Sequence, residues 1–387
     1  MNIKILILAI ACFVVGTVEM VIAGLLGMIS TDLHVSLGVA GQLISVYSFI
    51  FAIGGPILSA LTSKIERRKL LASAMLIFFI GNILSILSTN FTLLLLSRVI
   101  LAASCSLIVV ISVTIAANIV APELRGRAIG IIFSGIIASL VLGVPFGTLI
   151  ASRWGWRMTF VLIAVLTLIS FACILRFLPK IPAQKTRPLH EQIRSLKNKK
   201  IISAHFISIF QMIGQFTVYA YITPFLHDTM GLSTGMISVV LLVYGLAGTT
   251  GGWIGGSLSD KLGEAKTIYI SLIIHAVALF LLPYASHSIY SLLILVLFWC
   301  TFNMAATPAI QNYLIKTTPE TSNIQLSLNT SSLHIGVATG SVVGGILVNH
   351  FSITSNTWVG ALIILFGLFS AIYSLKCSQI NNDNILQ

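Results

Sequence analysis

The sequence has little charge. Of its 387 residues only 8% are Asp, Glu, Lys or Arg, against about a quarter in soluble domains. Apolar residues make up 57% of the chain, and the mean hydropathy is +1.03. Folded in water, such a chain could not cover its own apolar surface, which excludes a soluble enzyme and a disordered scaffold. Paired cysteines are also missing: Cys12, Cys105, Cys173, Cys300 and Cys377 share no spacing, and most lie inside apolar runs. They read as small buried hydrophobes, neither disulfides nor metal ligands. No GxxxxGK[ST] phosphate loop occurs, which argues against direct ATP drive, and no nucleophile or metal-ligand constellation has sensible spacing. The net charge of +12 comes without the clustered basic residues and stacking aromatics of a nucleic-acid surface.

What the sequence does have is a succession of long apolar runs. A helix crossing a ~30 Å hydrocarbon core needs roughly 20 mainly apolar residues. Twelve segments meet that length, near 5–28, 40–61, 70–88, 92–117, 128–151, 158–178, 202–226, 235–257, 267–285, 290–314, 324–348 and 356–376. The first is too long for a signal-peptide core and lacks a small-residue cleavage site, so it is expected to remain as a span. All lysines and arginines except Arg98, Arg153 and Arg157 fall on one side of these spans. The positive-inside rule makes that side, with both termini, cytoplasmic. An all-α polytopic membrane protein follows, multi-pass in a bacterial inner membrane. The polar stretch 179–200 is basic and parts the spans into two groups of six, 1–178 and 201–387. It reads either as an anionic-lipid contact or as a solvated linker whose charge sets topology.

The two groups repeat each other. Adding 197 to first-half positions pairs Tyr47 with Tyr244, Gly54 with Gly251, Lys64 with Lys261, Lys69 with Lys266, Pro122 with Pro319, Gly143 with Gly340 and Gly147 with Gly344. One offset serves from end to end, so the halves are two six-helix pseudo-repeats. Parallel repeats of six spans are the build of facilitator-type carriers, with the binding site between halves near the midplane. The loop GSLSDKLGEAK at 256–266 resembles a signature of the major facilitator superfamily, while its partner SALTSKIERRK at 59–69 is degenerate, with Ser63 and Glu66 at its aspartate and second glycine. RVILAAS at 98–104 resembles the fourth-span arginine motif, and LGVPFGT at 142–148 the fifth-span Gly-Pro motif of antiporters. WGWRMTF at 154–160 resembles the start of the sixth span. The stretch 16–49 is similar to the first two spans of twelve-span drug:proton antiporters, closest to the arabinose-efflux-permease and chloramphenicol-resistance-like branch.

Ionisable groups inside a span are costly and therefore functional candidates. Glu19 lies about 14 residues into the first span, roughly 21 Å from the inner face, and Arg98 about six residues into the fourth, roughly 9 Å from the outer face. They share a similar depth. Low-dielectric surroundings disfavour an ionised acid and a nearby guanidinium favours it, the opposition a proton-coupled carrier needs. The alternative is a static ion pair joining two helices. In the resembling family a first-span acid takes part in drug and proton handling. Among histidines, His334 and His275 lie mid-span and His205 at the start of the seventh, as relay candidates or helix contacts. Tyr47, Gln211, Gln215, Phe216, Tyr219, Tyr244, Asn303 and His334 form a candidate substrate cavity, mainly apolar with polar anchors. Interhelical packing is the other reading of each. Gly143, Pro145 and Gly147 are expected to form a hinge and tight contact with the other half, or dense packing alone. The resemblance implies a cytoplasmic latch of Asp260 with Arg125 or Arg127, Ser63 having lost the equivalent acid.

These readings lead to a non-enzymatic secondary transporter without cofactors, driven by the proton gradient. It is expected to export small amphipathic or sugar-like molecules, as a monomer whose partners are substrate, protons and lipid. A nutrient importer or symporter of the same fold, and a non-transporting membrane receptor on the same scaffold, are the rivals.

Overall fold

The computed structural model describes residues 3–183 and 198–383. Among them, twelve helices are long and apolar enough to cross a membrane. They are Ile3–Asp32, Leu37–Leu61, Arg67–Ile86, Phe91–Asn118, Arg125–Trp154, Trp156–Phe177, Lys199–Tyr219, Thr234–Leu262, Glu264–Ala285, Ile289–Thr317, Ile324–His350 and Ser355–Leu375, numbered here as spans one to twelve. All twelve expected segments appear, several extended at their ends into the polar boundary. Of the basic linker, Lys185, Arg187, Glu191, Arg194 and Lys197 lie outside the described residues. Loops carrying Lys64, Arg67, Arg125, Arg127, Lys261 and Lys316 collect at one face, called the basic face below; Asp32, Arg153 and Arg157 lie at the opposite, far face.

The repeat offset is visible in local chemistry. Ser36 and Ser233, 197 residues apart, each cap the following span by accepting from a backbone amide three residues on, Val39 and Met236. Such caps satisfy donors a helix start leaves unpaired. The degenerate loop has found other work. Glu66 caps the third span at the Arg68 amide and also accepts from Ile181 N at 3.1 Å, while the Arg68 side chain donates to Leu175 O. In the second half, Gly263 occupies the equivalent position at φ +83°, a backbone conformation that favours glycine.

Two spans depart from a plain helix. The fifth widens into a π turn at Ser139–Gly143 just before Pro145. Proline lacks an amide hydrogen and its ring crowds the carbonyl four residues back, so a looser turn ahead of it relieves both problems. The seventh, expected continuous over 202–226, stops at Tyr219 and resumes as Ile222–Met230. Pro224 accounts for that correction, since it cannot donate to the turn before it. The first span carries Gly27 at the matching position and runs unbroken to Asp32.

Glycines bring spans together within each half. A Cβ at Gly135, Gly143 or Gly147 of the fifth span would collide with Ala9, Thr17 or Val21 of the first. In the other half, Gly336, Gly340 and Gly344 of the eleventh span press on backbone oxygens of Ile209, Ile213 and Thr217 in the seventh. The expected partner of Gly143 and Gly147 is thereby corrected: they face their own half. The contact across the halves uses the π turn instead, where Leu140 and Val141 lie against Gly245 and Gly248 of the eighth span.

The halves meet toward the far face. Gly38 N donates to Asn349 Oδ1 at 3.2 Å, Ser341 Oγ to Gly41 O at 2.9 Å, and Thr223 Oγ1 to Ala23 O at 3.0 Å. Nearer the middle, Ser331 Oγ donates to Ala52 O at 2.8 Å. Toward the basic face the fifth span turns exposed, Arg125, Gly126 and Arg127 included. This arrangement is closed at the far face and open toward the basic face. A Cβ at Gly245 would stand 2.6 Å from Val141 Cα, whereas one at Gly252 would meet nothing within 4 Å. Gly245→Val is therefore expected to destabilise the protein by about 1–3 kcal/mol, and Gly252→Val to leave it unchanged. Thermal unfolding of the detergent-solubilised variants checks the difference.

Candidate functional site

The first span is clamped to the fifth along the face carrying Thr17, Val21 and Gly24. Glu19 is two residues from both Thr17 and Val21, about 200° around the helix, so it points away from that seam. It points at the other half. Its Oε1 lies 3.6 Å from Nδ1 of His334 on the eleventh span, a close approach slightly longer than a hydrogen bond. The Glu19 and His334 side chains keep 12% and 13% of their surface accessible, so the pair borders open space. The His334 ring also stacks on Phe51 of the second span, centroids 3.9 Å apart, and Phe51 stacks in turn on Tyr47 at 6.5 Å.

Arg98 is fully buried behind this group. Its Nη1 donates to Val18 O at 3.1 Å and its Nε to Leu43 O at 3.3 Å, while the guanidinium lies 4.3 Å from the Tyr47 ring centroid. It makes no ion pair with Glu19 within 4 Å; the carboxylate sits within electrostatic reach only. The static ion-pair reading is therefore corrected: Arg98 bonds to backbone carbonyls of spans one and two, and the Glu19 carboxylate faces His334 of the other half. Arg98 Nη2, His334 Nδ1 and the Tyr47 and Tyr219 hydroxyls are buried polar atoms without a hydrogen-bond partner. Such atoms are rare unless water or a ligand serves them.

The remaining cavity candidates gather inside the second half. Trp299 Nε1 donates to Gln215 Oε1 at 2.6 Å, and Gln215 Nε2 donates to the Tyr244 hydroxyl. Tyr244 stacks on Tyr219 at 4.7 Å and meets Trp299 edge-on at 5.3 Å, with Phe216 edge-on to Tyr219 at 5.5 Å. Gln211 Nε2 donates to Asn303 O at 2.7 Å and to its Oδ1 at 3.1 Å. All of these residues are buried. In this state they form a packed network between spans seven, eight and ten, not an open lining. His205 is a helix contact, bonded to Gln325 at 2.9 Å and Ser332 at 3.3 Å. His275 is buried in the ninth span, away from the junction.

At the basic face, Asp260 and the two arginines Arg125 and Arg127 are exposed and do not pair with one another. Arg125 donates instead to Ala117 O at 3.1 Å. Sequence reasoning missed Phe51 and Trp299, apolar-looking positions in long apolar runs with nothing to mark them. It also missed a far-face tie: Asp32 accepts from Arg157 at 2.7 Å and from Trp156 at 3.1 Å, and Arg157 donates to Ser88 O at 2.7 Å. Among the described residues, no group of His, Cys, Asp and Glu side chains could hold a metal ion.

A family model described as Major Facilitator Superfamily matches residues 8–323 and 205–382. The chain belongs to the major facilitator superfamily. Facilitators are transporters, not enzymes. Two curated relatives from Bacillus subtilis (strain 168) are similar over almost the whole chain. The uncharacterized MFS-type transporter YbcL is 36% identical over 369 residues, covering 95% of both chains. The uncharacterized MFS-type transporter YtbD is 32% identical over 365 residues, covering 93% of this chain and 92% of that one. Among solved structures, a D-xylose-proton symporter shares the fold at TM-score 0.79 and 19% identity, covering 95% of this chain and 96% of that one. A bacterial homolog of the human lysosomal transporter Spinster, inward-facing and unoccupied, does so at TM-score 0.73 and 16% identity, covering 97% and 96%. As a facilitator the chain is a multi-pass membrane protein that takes a small-molecule substrate.

The two carbonyls and the ring around Arg98 suit a planar fork, not a point charge. Arg98→Lys is expected to lose one carbonyl contact and the stacking, lowering stability by about 2 kcal/mol. The melting temperature of the purified variant in detergent checks this; an unchanged value would show that a lone ammonium suffices.

Proposed function

We propose that this facilitator is a proton-coupled exporter of small amphipathic or sugar-like molecules, exposing its central junction to each face in turn. One observation carries the reading: Glu19, an acid deep in the first span, borders open space where the two halves meet, and its carboxylate faces His334 of the other half. An acid placed there exchanges its proton with whichever side is wet, so its charge state changes with the position of the halves. The basic face is the cytoplasmic one by its lysines and arginines, with both termini there. The bundles 1–178 and 201–387 rock as units about the far-face and central contacts. The junction lies within one chain, so a monomer suffices. The first-span stretch and the LGVPFGT motif favour export. Import coupled to protons is the second reading, supported by the fold shared with a D-xylose-proton symporter.

The latch belongs to the opposite state. When the basic face closes, Asp260 at the end of the eighth span approaches Arg125 or Arg127 at the start of the fifth. An exposed ion pair is weak, yet enough to bias a two-state equilibrium about threefold.

A ligand-stabilisation screen of the purified protein over antibiotics, sugars and nucleosides identifies a substrate to assay. In everted vesicles that substrate should accumulate under an imposed proton gradient, and Glu19→Gln should insert normally but lower the accumulation about tenfold or more. Undiminished pH-driven accumulation in that variant would sink the coupling role. Asp260→Asn is expected to raise cysteine labelling from the basic face about threefold, with Ser63→Ala unchanged. The reverse pattern would overturn the latch.

A further inference from the structure

The ion pairs of Arg157 with Asp32 and of Lys316 with Glu264 each lie within one half, the first and the second respectively. The contact between Glu19 and His334 crosses the seam. His334 faces the first half on two sides: the Glu19 carboxylate of span one stands 3.6 Å from its Nδ1, and Phe51 of span two stacks on its ring. The same eleventh span carries Ser331, Ser341 and Asn349, whose side chains bond to backbone groups of the second span. Parting the far face moves this span against spans one and two and must break the contact. The titratable groups around the pair are Tyr47 of the second span and Arg98 and Cys105 of the fourth. From the seventh span, His205 is engaged by Gln325 and Ser332.

We infer that His334 is the positioning residue of Glu19 and locks the unloaded carrier. This lock rests on the proton coupling proposed above and acts when Glu19 carries neither proton nor substrate. The ionised carboxylate then takes the Nδ1 hydrogen of His334 and ties the halves in the state closed at the far face. A proton on Glu19 removes the charge that holds the imidazole. A substrate group seated on the carboxylate displaces the imidazole outright. Either ligand frees the seam, and the empty, unprotonated carrier stays where it is. Exchange without slippage requires that restriction, because a carrier that crosses empty dissipates the gradient. No bond is made or broken apart from the proton transfer, and the proton on Glu19 comes from whichever side is open.

The test reads the far-face opening directly. Spin labels on Ser36→Cys and Ser352→Cys, exposed far-face positions on opposite halves, report their separation by pulsed electron resonance in the full chain with native cysteines changed to alanine. In mildly alkaline buffer the short distance should dominate, and acidification should populate a longer one. His334→Asn and Glu19→Gln should each raise the long-distance fraction in alkaline buffer about threefold or more, flatten its pH response, and give no further increase when combined. The exchanged pair Glu19→His with His334→Glu should restore the short distance, which a merely structural histidine would not do. A His334→Asn protein with wild-type distances at every pH overturns the inference, and so does an exchanged pair that stays open. If Glu19→Gln abolishes accumulation in vesicles while His334→Asn leaves distances unchanged, this inference alone fails. If Glu19→Gln keeps pH-driven accumulation, the coupling reading fails with it.

Discussion

Helices in a bilayer gain little by hiding apolar surface from lipid, so they come closest where side chains are missing and backbones can touch. The whole arrangement depends on that constraint. Gly135, Gly143 and Gly147 let the fifth span lie on the first, and Gly336, Gly340 and Gly344 let the eleventh lie on the seventh. Each clamp fixes the rotation of a helix carrying a junction residue. With the first span turned by its contact to the fifth, Glu19 faces the seam. With the eleventh turned by its contact to the seventh, His334 faces it from the other side.

Within a half, contacts are of the kind that hold a rigid body. Arg98 is buried, yet its charge is served by two carbonyls and an aromatic face drawn from spans one and two. Removing any of these leaves a cation in a low-dielectric site, so the fourth span is bound tightly to its neighbours. The glutamine, tyrosine and tryptophan network of spans seven, eight and ten does the same in the second half. Between the halves, the bonds are single side-chain to backbone contacts such as Ser341 to Gly41 and Thr223 to Ala23. Each is worth about 0.5–1.5 kcal/mol net.

The spans themselves were legible because length and hydropathy are local properties of a run of residues, and lipid imposes a minimum length on each. The repeat was legible as one constant offset, and its serine caps at Ser36 and Ser233 act alike in the structure. Breaks inside spans were harder to see. Pro224 interrupts the seventh span and Pro145 forces a π turn in the fifth. In both cases the surrounding run stays apolar, so hydropathy alone joins the pieces.

Glu19 and Arg98 stood out in the sequence because charge deep in an apolar run is rare, and depth follows from counting residues. Their similar depth suggested a pair. The sequence by itself determined the twelve spans, the two-fold repeat and the charged residues that must find partners inside them. Only the tertiary structure decided who those partners are. Partnership depends on helix rotation and on which span lies next to which, both set by small residues more than a hundred positions away in the chain. Arg98 therefore serves carbonyls of its own half, and Glu19 reaches His334, 315 residues further along and across the seam.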